Sequence, residues 1–135
     1  MADLLASTIN TLLPIDLILH VPTDPCRQKE RGFSIPEALA TAVSRRLSVP
    51  ISGCLILTRR VRSLRGLAPQ ERAAELRDAF ALSNLANIEK KRILVVDDVI
   101  AYGTTTAEIA SLLRANGALG VSVAVLAYAA STASI

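Results

Sequence analysis

The sequence has few of the residues on which several classes of protein depend. Only four of its 135 residues are aromatic, two Phe and two Tyr, whereas single-strand nucleic-acid binders stack bases on aromatic side chains. It has one histidine, His20, and two cysteines, Cys26 and Cys54, without a CxxC spacing. Because a zinc site needs about four clustered ligands, zinc binding is excluded and sequence-specific RNA recognition is disfavoured. The roles of these three residues stay open.

Long apolar runs and leader-like features are also missing. The longest uncharged stretch, residues 115–135, contains Asn116, two glycines and several Ser and Thr, so it falls short of the roughly 20 apolar residues of a membrane span. Residues 1–13 carry Asp3 and no basic region of the kind that opens a secretory signal. We therefore expect a cytoplasmic protein without a membrane span. The 51% hydrophobic content and the length predict one packed domain.

Positive charge is concentrated in one part of the chain. Residues 27–77 hold eleven Lys or Arg against four Asp or Glu, whereas the remaining residues hold four against eight. Such a segment is typical of a site for an anion. Three interpretations stay open: a phosphate or pyrophosphate on a small molecule, a nucleic acid, or a solvated basic face without a ligand.

Strands and helices alternate in the predicted secondary structure, which favours an α/β fold with a doubly wound, mostly parallel sheet. We expect an N-terminal helix at 1–14, one domain at 15–130 and a tail at 131–135. The predicted strands are 16–21, 51–58, 79–82, 93–96 and 121–127. The predicted helices are 34–47, with a capping box at Ser34 and Glu37, 69–77, and one that follows Thr104 and closes at Asn116 and Gly117. The segment 23–33 is predicted as a polar loop.

The segment ILVVDDVIAYGTTT, residues 93–106, contains the residues best suited to chemistry. Asp97 and Asp98 fall at the carboxyl end of a predicted parallel strand, where α/β sheets bind ligands. Two adjacent acids at that place need a compensating partner such as a metal, ribose hydroxyls or a cation. Gly103 then permits a tight turn, and Thr104 begins a helix whose free N–H groups favour an anion. Acids for a sugar diol beside amides for a phosphate predict a site for ribose 5-phosphate.

This segment resembles the phosphoribosyl pyrophosphate (PRPP) motif of the type I phosphoribosyltransferases. The resemblance implies that the fold is of that kind and that Asp97 and Asp98, as the catalytic pair, hold the ribose hydroxyls. It also implies that a loop binds the 5-phosphate through Ala101, Tyr102, Gly103, Thr104 and Thr105. Many family members have a smaller residue where Tyr102 stands.

A second resemblance covers most of residues 15–125. The strings VPTDPCRQKERGFS (21–34), LSVPI, a run of arginines and ERAAELRDAF (71–80) are similar to the ComF family of competence-associated, amidophosphoribosyltransferase-like proteins. The similarity implies a pyrophosphate loop containing Lys29, Arg31 and Gly32, and a mobile lid containing Arg59, Arg60 and Arg62. The zinc ribbon of that family is not in this sequence, so we expect a truncated member. Four further positions depart from the family pattern: Ser34, Ile35, Leu64 and Glu75.

The resemblances imply Mg2+-dependent displacement of pyrophosphate from PRPP by a nitrogen nucleophile. They imply that Mg2+ is bound through PRPP and not directly by the protein. The alternative is a non-catalytic sensor of PRPP or a nucleotide, or a component of DNA uptake, because the departures weaken the match to an active transferase. The expected partners are PRPP or another ribose 5-phosphate compound, DNA-uptake proteins and a second copy of the chain. The acceptor is not predicted.

Two rival interpretations are weaker. The string KRILVVDDV also resembles the first strand of a two-component receiver domain, but that fold needs a later Asp and Lys, and the 37 residues after Asp98 contain neither. Direct DNA binding is disfavoured by the lack of aromatic residues and the net charge of only +3.

Overall fold

The computed structural model describes residues 14–83, 87–100 and 102–128. Within these ranges the strands are β1 (Leu17–His20), β2 (Ile51–Ser52), β3 (Leu55–Leu57), β4 (Phe80–Leu82), β5 (Arg92–Ile100) and β6 (Gly120–Tyr128). The helices are α1 (Pro25–Arg31), α2 (Ile35–Leu47), α3 (Pro69–Leu76) and α4 (Thr104–Ala115). The predicted N-terminal helix and C-terminal tail lie outside the described residues, and the predicted domain bounds stay predictions.

Four strands form a parallel sheet in the order β2-β1-β5-β6. The two central strands, β1 and β5, contain the runs of Leu, Ile and Val at residues 17–19 and 93–96, which suits strands that are covered on both faces. Side chains alternate between the faces of a strand. Leu17, Leu19, Ile93 and Val95 therefore share one buried cluster with Ile109 and Leu113 of α4. Ile18, Leu94 and Val96 share the other with Ala40 and Val43 of α2.

Helices on both faces of a parallel sheet confirm the predicted doubly wound α/β fold. Each fully buried aliphatic side chain in these clusters contributes roughly 1.5–3 kcal/mol. Two predicted helix ends are also confirmed. The Ser34 hydroxyl caps α2 by accepting the Glu37 N–H at 3.4 Å, and α4 ends at Asn116 with Gly117 at a φ of +95°.

The predicted strand 51–58 is wrong as a single element. Residues Ile51–Ser52 pair in parallel with β1, whereas Leu55–Leu57 pair antiparallel with β4 in a separate two-stranded sheet. Gly53 lies at the break, and glycine inside a strand pattern often marks such a bend. The chain therefore leaves the main sheet after Ser52 and forms a hairpin, β3–β4, beside it.

The predicted polar loop 23–33 is also wrong, because it contains helix α1. The Asp24 carboxylate accepts the Cys26 N–H at 2.8 Å, and Pro25 is the first helical residue. An acidic cap followed by proline is a favourable helix start. Gly32, with a φ of +80°, follows the helix.

The strand predicted to end at Val96 continues to Ile100. Strand β6 pairs with β5 along its whole length, from Arg92 opposite Gly120 to Ile100 opposite Tyr128. Strand β1, by contrast, reaches only to His20 opposite Val96. Asp97 and Asp98 thus lie inside β5 rather than after it, on the portion that projects beyond β1. The loop predicted from Val99 to Gly103 is correspondingly shorter.

Candidate functional site

The acid pair lies where β1 turns away from β5. The Val21 N–H donates to the Val96 carbonyl at 3.0 Å, which holds the segment after β1 beside the start of the acid pair. Asp97 is only 9% exposed, and its Oδ1 accepts the Asp98 N–H at 2.8 Å. This placement is the crevice at which open α/β sheets bind ligands.

Burial raises the pKa of Asp97 to about 7, and a side-chain hydrogen bond with Asp98 acts in the same direction. The Asp98 N–H opposes both effects, because it favours the charged carboxylate. Within the described residues no Lys or Arg forms an ion pair with Asp97. The carboxylate is therefore suited to hydroxyl donors or a cation supplied from outside the protein.

The turn after β5 opens helix α4. Gly103 has a φ of +76°, a left-handed conformation that costs other residues roughly 1–2 kcal/mol. Its carbonyl accepts the Ala107 N–H at 3.0 Å and the Thr106 hydroxyl at 3.1 Å. The N–H groups of Thr104 and Thr105 come before the first intrahelical bond and are available to an anion. Ala101 lies outside the described residues, and Tyr102 is 40% exposed.

The residues expected at a pyrophosphate loop lie on or next to a helix. Lys29 is an exposed residue of α1, Arg31 is the last residue of that helix, and Gly32 is exposed directly after it. Because the backbone N–H groups at the end of a helix are used in its own hydrogen bonds, the backbone N–H groups of Lys29 and Arg31 do not form an open loop of the kind that was predicted here.

The expected lid occupies residues 58–79, the connection between β3 and β4, and we call it the lid segment. Its ends are held together by a hydrogen bond from the Thr58 N–H to the Ala79 carbonyl, at 2.8 Å. Two of its arginines are paired with Glu75: Arg62 Nε lies 3.0 Å from Oε2, and Arg59 Nη1 lies 3.8 Å from Oε1. A hydrogen bond from the Arg62 N–H is the largest cause that lowers the pKa of Glu75.

The third arginine joins the lid segment to α1. Arg60 Nε lies 3.7 Å from Asp24 Oδ2. Behind this pair is a cleft of about 490 Å³, lined by Asp24, Cys26, Glu30, Arg60, Val61, Arg62 and Ser63. The structure thus brings two of the predicted lid arginines against α1, the helix that carries Lys29 and Arg31.

Two residues of α3 were not singled out from the sequence. Arg72 places its guanidinium carbon 4.1 Å from the centroid of the Tyr102 ring, so the lid segment touches the turn before α4. Leu76, one helical turn later, is buried in the same cluster as Ile109 and Leu113 of α4. Glu75 of the same helix forms the ion pairs with Arg59 and Arg62 described above. The apolar residue four positions after Arg72 was the available signal for the packing face.

The described residues contain neither a metal-binding cluster nor a membrane-spanning helix. No group of three or more His, Cys, Asp or Glu there is arranged to hold a metal ion. Nor does that part of the chain contain a helix with the length and apolar character to cross a membrane.

The chain is similar to one known domain family and to two named bacterial proteins. Residues 37–134 match the phosphoribosyl transferase domain. Competence protein F of Haemophilus influenzae is 34% identical over 104 residues, which cover 76% of this chain and 45% of that protein. DNA utilization protein YhgH of Escherichia coli K12 is 35% identical over 109 residues, which cover 80% of this chain and 47% of that protein. The chain thus spans less than half the length of these relatives.

Solved structures share the fold. The allosteric regulatory enzyme of purine biosynthesis superposes with a TM-score of 0.63 at 25% identity, over 93% of this chain and 24% of that one. Adenine phosphoribosyltransferase from Thermoanaerobacter pseudethanolicus superposes with a TM-score of 0.62 at 19% identity, over 94% of this chain and 66% of that one. The second likeness shows the fold alone.

Proposed function

Because this chain belongs to the phosphoribosyl transferase domain family and to its ComF branch, we propose that it binds PRPP at the end of β5 and transfers the phosphoribosyl group. The observation that carries the proposal is the buried carboxylate of Asp97, which has no cationic partner among the described residues and lies just before the open N-terminus of α4. A ligand that carries hydroxyl groups next to a phosphate could contact both the Asp97 carboxylate and the N-terminus of α4.

In this proposal the acids and the helix bind opposite ends of the ribose phosphate. Asp97 and Asp98 accept hydrogen bonds from the two ribose hydroxyls. The N–H groups of the loop Tyr102–Thr105 hold the 5-phosphate, together with the positive end of the α4 dipole. The predicted role of Ala101 in that loop falls outside the described residues and stays a prediction.

The pyrophosphate is assigned to the basic side of the site. Lys29, Arg31 and Gly32 approach it from α1, and Arg59, Arg60 and Arg62 from the lid segment. These three arginines are paired with Glu75 and Asp24. A pyrophosphate carries more charge than one carboxylate, so it can replace these acids as the partner of the arginines.

The donor set fits Mg2+ in combination with PRPP. Mg2+ prefers oxygen ligands, substrate phosphates among them, and in this proposal it is bound through PRPP and not directly by the protein, while Asp97 and Asp98 hold the ribose hydroxyls. When bound, the ion neutralises charge that builds up on the departing phosphate oxygens. The protein itself supplies the pair of acids and the surrounding amides.

The reaction proposed is a substitution at the ribose C1 atom. A nitrogen nucleophile forms the new C1–N bond, the C1–O bond to pyrophosphate breaks, and pyrophosphate leaves with the bonding electrons. Because positive charge develops on the sugar, nearby carboxylates stabilise it, while Lys and Arg stabilise the leaving group. Closure of the lid segment excludes water, which would otherwise compete with the acceptor.

Calorimetric titration with PRPP, with and without Mg2+ and beside ribose 5-phosphate, tests the proposal. Asp97→Asn and Asp98→Asn should each weaken PRPP binding by roughly tenfold to a hundredfold, since each removes charged hydrogen-bond acceptors. Asp16→Asn is the matched control, because Asp16 accepts the Arg92 N–H at the opposite end of β5. Equal PRPP affinity in all four proteins would overturn the proposal. Release of pyrophosphate with an amine acceptor separates a transferase from a sensor.

A second candidate function follows from the names of the relatives, competence protein F and DNA utilization protein. It is a non-catalytic role in DNA uptake, either through protein partners or by direct contact of DNA with the arginines of the lid segment. A filter-binding series over increasing salt tests direct contact: DNA affinity that falls steeply with salt supports it, and no binding at low salt rejects it.

Cytoplasmic location and homodimer formation belong to the first proposal. Cell fractionation tests the location, and light scattering tests the homodimer.

A further inference from the structure

Arg72 differs from the other lid arginines in what surrounds its charge. Its Nη1 donates to the Leu67 carbonyl at 2.6 Å, and its guanidinium lies over the ring of Tyr102. Its Nε is buried without a hydrogen-bond partner. In the described part of the chain, Arg72 forms no ion pair with a carboxylate. The guanidinium is thus held in place while part of its hydrogen-bonding capacity is unused.

Arg72 also contacts the turn at the N-terminus of α4, which is the positive end of the helix dipole. Tyr102 comes two residues before the first residue of α4, so the guanidinium lies on a side chain of the turn that opens that helix at its positive end. A cation is disfavoured there and an anion is favoured. Helix α3 is kept in this position by Leu76, which is 2% exposed and packs in the cluster that includes Ile109. The arrangement is therefore built into the packing of α3 on α4.

We propose that Arg72 is a binding residue for the phosphate group held by the loop Tyr102–Thr105. Arg72 is only partly buried, so an oxyanion in that loop can accept from the accessible part of its guanidinium, although the Nε atom itself is enclosed by the protein, and the oxyanion offsets the charge at the helix end. The lid segment then reaches the ligand at two places: Arg59, Arg60 and Arg62 face the pyrophosphate, and Arg72 faces the 5-phosphate. The inference rests on the proposed function, because it assigns a partner to the same phosphate.

The Tyr102 ring orients the Arg72 side chain. A guanidinium stacked on an aromatic face gains roughly 0.5–1 kcal/mol at exposed sites, which orients Arg72 without neutralising it. A carboxylate partner would hold the side chain more tightly but would compete with the phosphate. Tyr102, the bulky residue of the loop, thus positions Arg72 for an anion.

The test measures the affinities of ribose 5-phosphate and inorganic pyrophosphate, separately, by calorimetry. Arg72→Met keeps most of the aliphatic side chain and removes the charge. We expect ribose 5-phosphate binding to weaken about tenfold and pyrophosphate binding to stay within twofold of the wild type. Arg65→Gln removes an exposed arginine from the same lid segment and should leave both affinities unchanged. Arg72→Lys keeps the charge without the planar group and should bind ribose 5-phosphate with intermediate affinity.

Each outcome separates this inference from the proposed function. If the wild type binds ribose 5-phosphate and Arg72→Met binds it equally well, the inference is wrong and the proposed function stands. If Arg72→Met weakens only pyrophosphate binding, Arg72 acts through lid packing and the inference is also wrong. If the wild type binds neither PRPP nor ribose 5-phosphate, the proposed function itself fails. Thermal unfolding of each variant establishes that it is folded, and Arg72→Lys decides the question if Arg72→Met is not.

Discussion

The end of β5 and the lid segment differ in how their charged side chains are compensated. Asp97 is buried, and its raised pKa favours the neutral form at the expense of the carboxylate. Arg59, Arg60 and Arg62 are exposed, with side chains 42%, 78% and 63% accessible, and stay charged next to Glu75 and Asp24. One region thus limits its charge by protonation and the other by pairing.

The difference follows from how each group interacts with its surroundings. A buried carboxylate cannot be compensated by water, so it takes up a proton more readily. Exposed arginines cannot lose their protons, so they need nearby acids or solvent. A ligand that combines hydroxyls, a divalent cation and phosphates would relieve both constraints. The two regions should therefore respond differently to pH, to backbone substitution and to loss of an acid.

The largest expected difference is in the response to pH. The pKa of Asp97 is raised from an ordinary value of 3.8 to about 7, so the folded protein binds a proton that the unfolded chain has already released. The associated stability is complete below pH 3.8 and is lost as the pH rises through about 7. The loss is on the order of 1.4 kcal/mol per pH unit within that window. Urea unfolding at pH 5, 6, 7 and 8 measures it.

Asp97→Asn is the control for this prediction, because the amide does not titrate. Its unfolding free energy should vary less over the same pH range than that of the wild type. Parallel pH profiles for the two proteins would show that Asp97 titrates normally and would remove the contrast with the lid segment.

The proton on Asp97 also predicts that Mg2+ and PRPP bind more tightly at pH 8 than at pH 6.

A backbone change should be smaller and should affect the two regions unequally. Gly103 before α4 and Gly66 in the lid segment both have positive φ, +76° and +81°, and a methyl group at either position meets nothing within 4 Å. Gly103→Ala and Gly66→Ala should each cost about 1 kcal/mol of stability from backbone strain alone. Only Gly103→Ala should also weaken ribose 5-phosphate binding. Chemical denaturation and calorimetry measure both; equal affinities would mean that the turn at Gly103 does not shape the phosphate site.

The smallest effect is expected from the acid of the lid segment. Glu75→Gln removes the carboxylate charge beside Arg59 and Arg62, whereas the hydrogen bonds of Arg59 to the Glu75 and Arg77 carbonyls remain. Inorganic pyrophosphate should therefore bind more tightly, by a few-fold at low salt, since exposed pairs are weak. Glu71→Gln is the matched control on the same helix, because Glu71 accepts only the Ala68 N–H among the described residues. Weaker pyrophosphate binding in Glu75→Gln would mean that Glu75 positions the arginines rather than competing for them.

Local patterns predicted the main sheet well. The apolar runs of β1, β5 and β6 and the caps of α2 and α4 are encoded in neighbouring residues, so periodicity and capping rules identify them. The Asp24-Pro25 start of α1 and the Gly53 break in the strand 51–58 were also visible in the sequence, but they were read as loop and as continuous strand. These two errors concern the connections next to the proposed site.

Contacts between distant residues could not be predicted in the same way. The pairing of Arg62 with Glu75 and the contact of Arg72 with Tyr102 depend on the hairpin β3–β4, which places the lid segment against α4. Asp97 lies in β5 opposite Val125 of β6. Strand β5 continues past Val96 because β6 offers a partner of equal length. Neither fact is contained in the local sequence, since both arise from tertiary packing.

The hydrogen bond between Thr58 and Ala79 has a consequence for how this protein can change. Because the two ends of the lid segment are fixed at one backbone hydrogen bond in their own hairpin, the 20 residues between them form a closed insertion whose length is independent of the main sheet. Doubling the length of such an insertion costs only about 0.6 kcal/mol in loop closure. Residues added to the lid segment should therefore leave the scaffold folded as long as the insertion keeps Leu76, which is buried in the core cluster with Ile109 and Leu113 of α4.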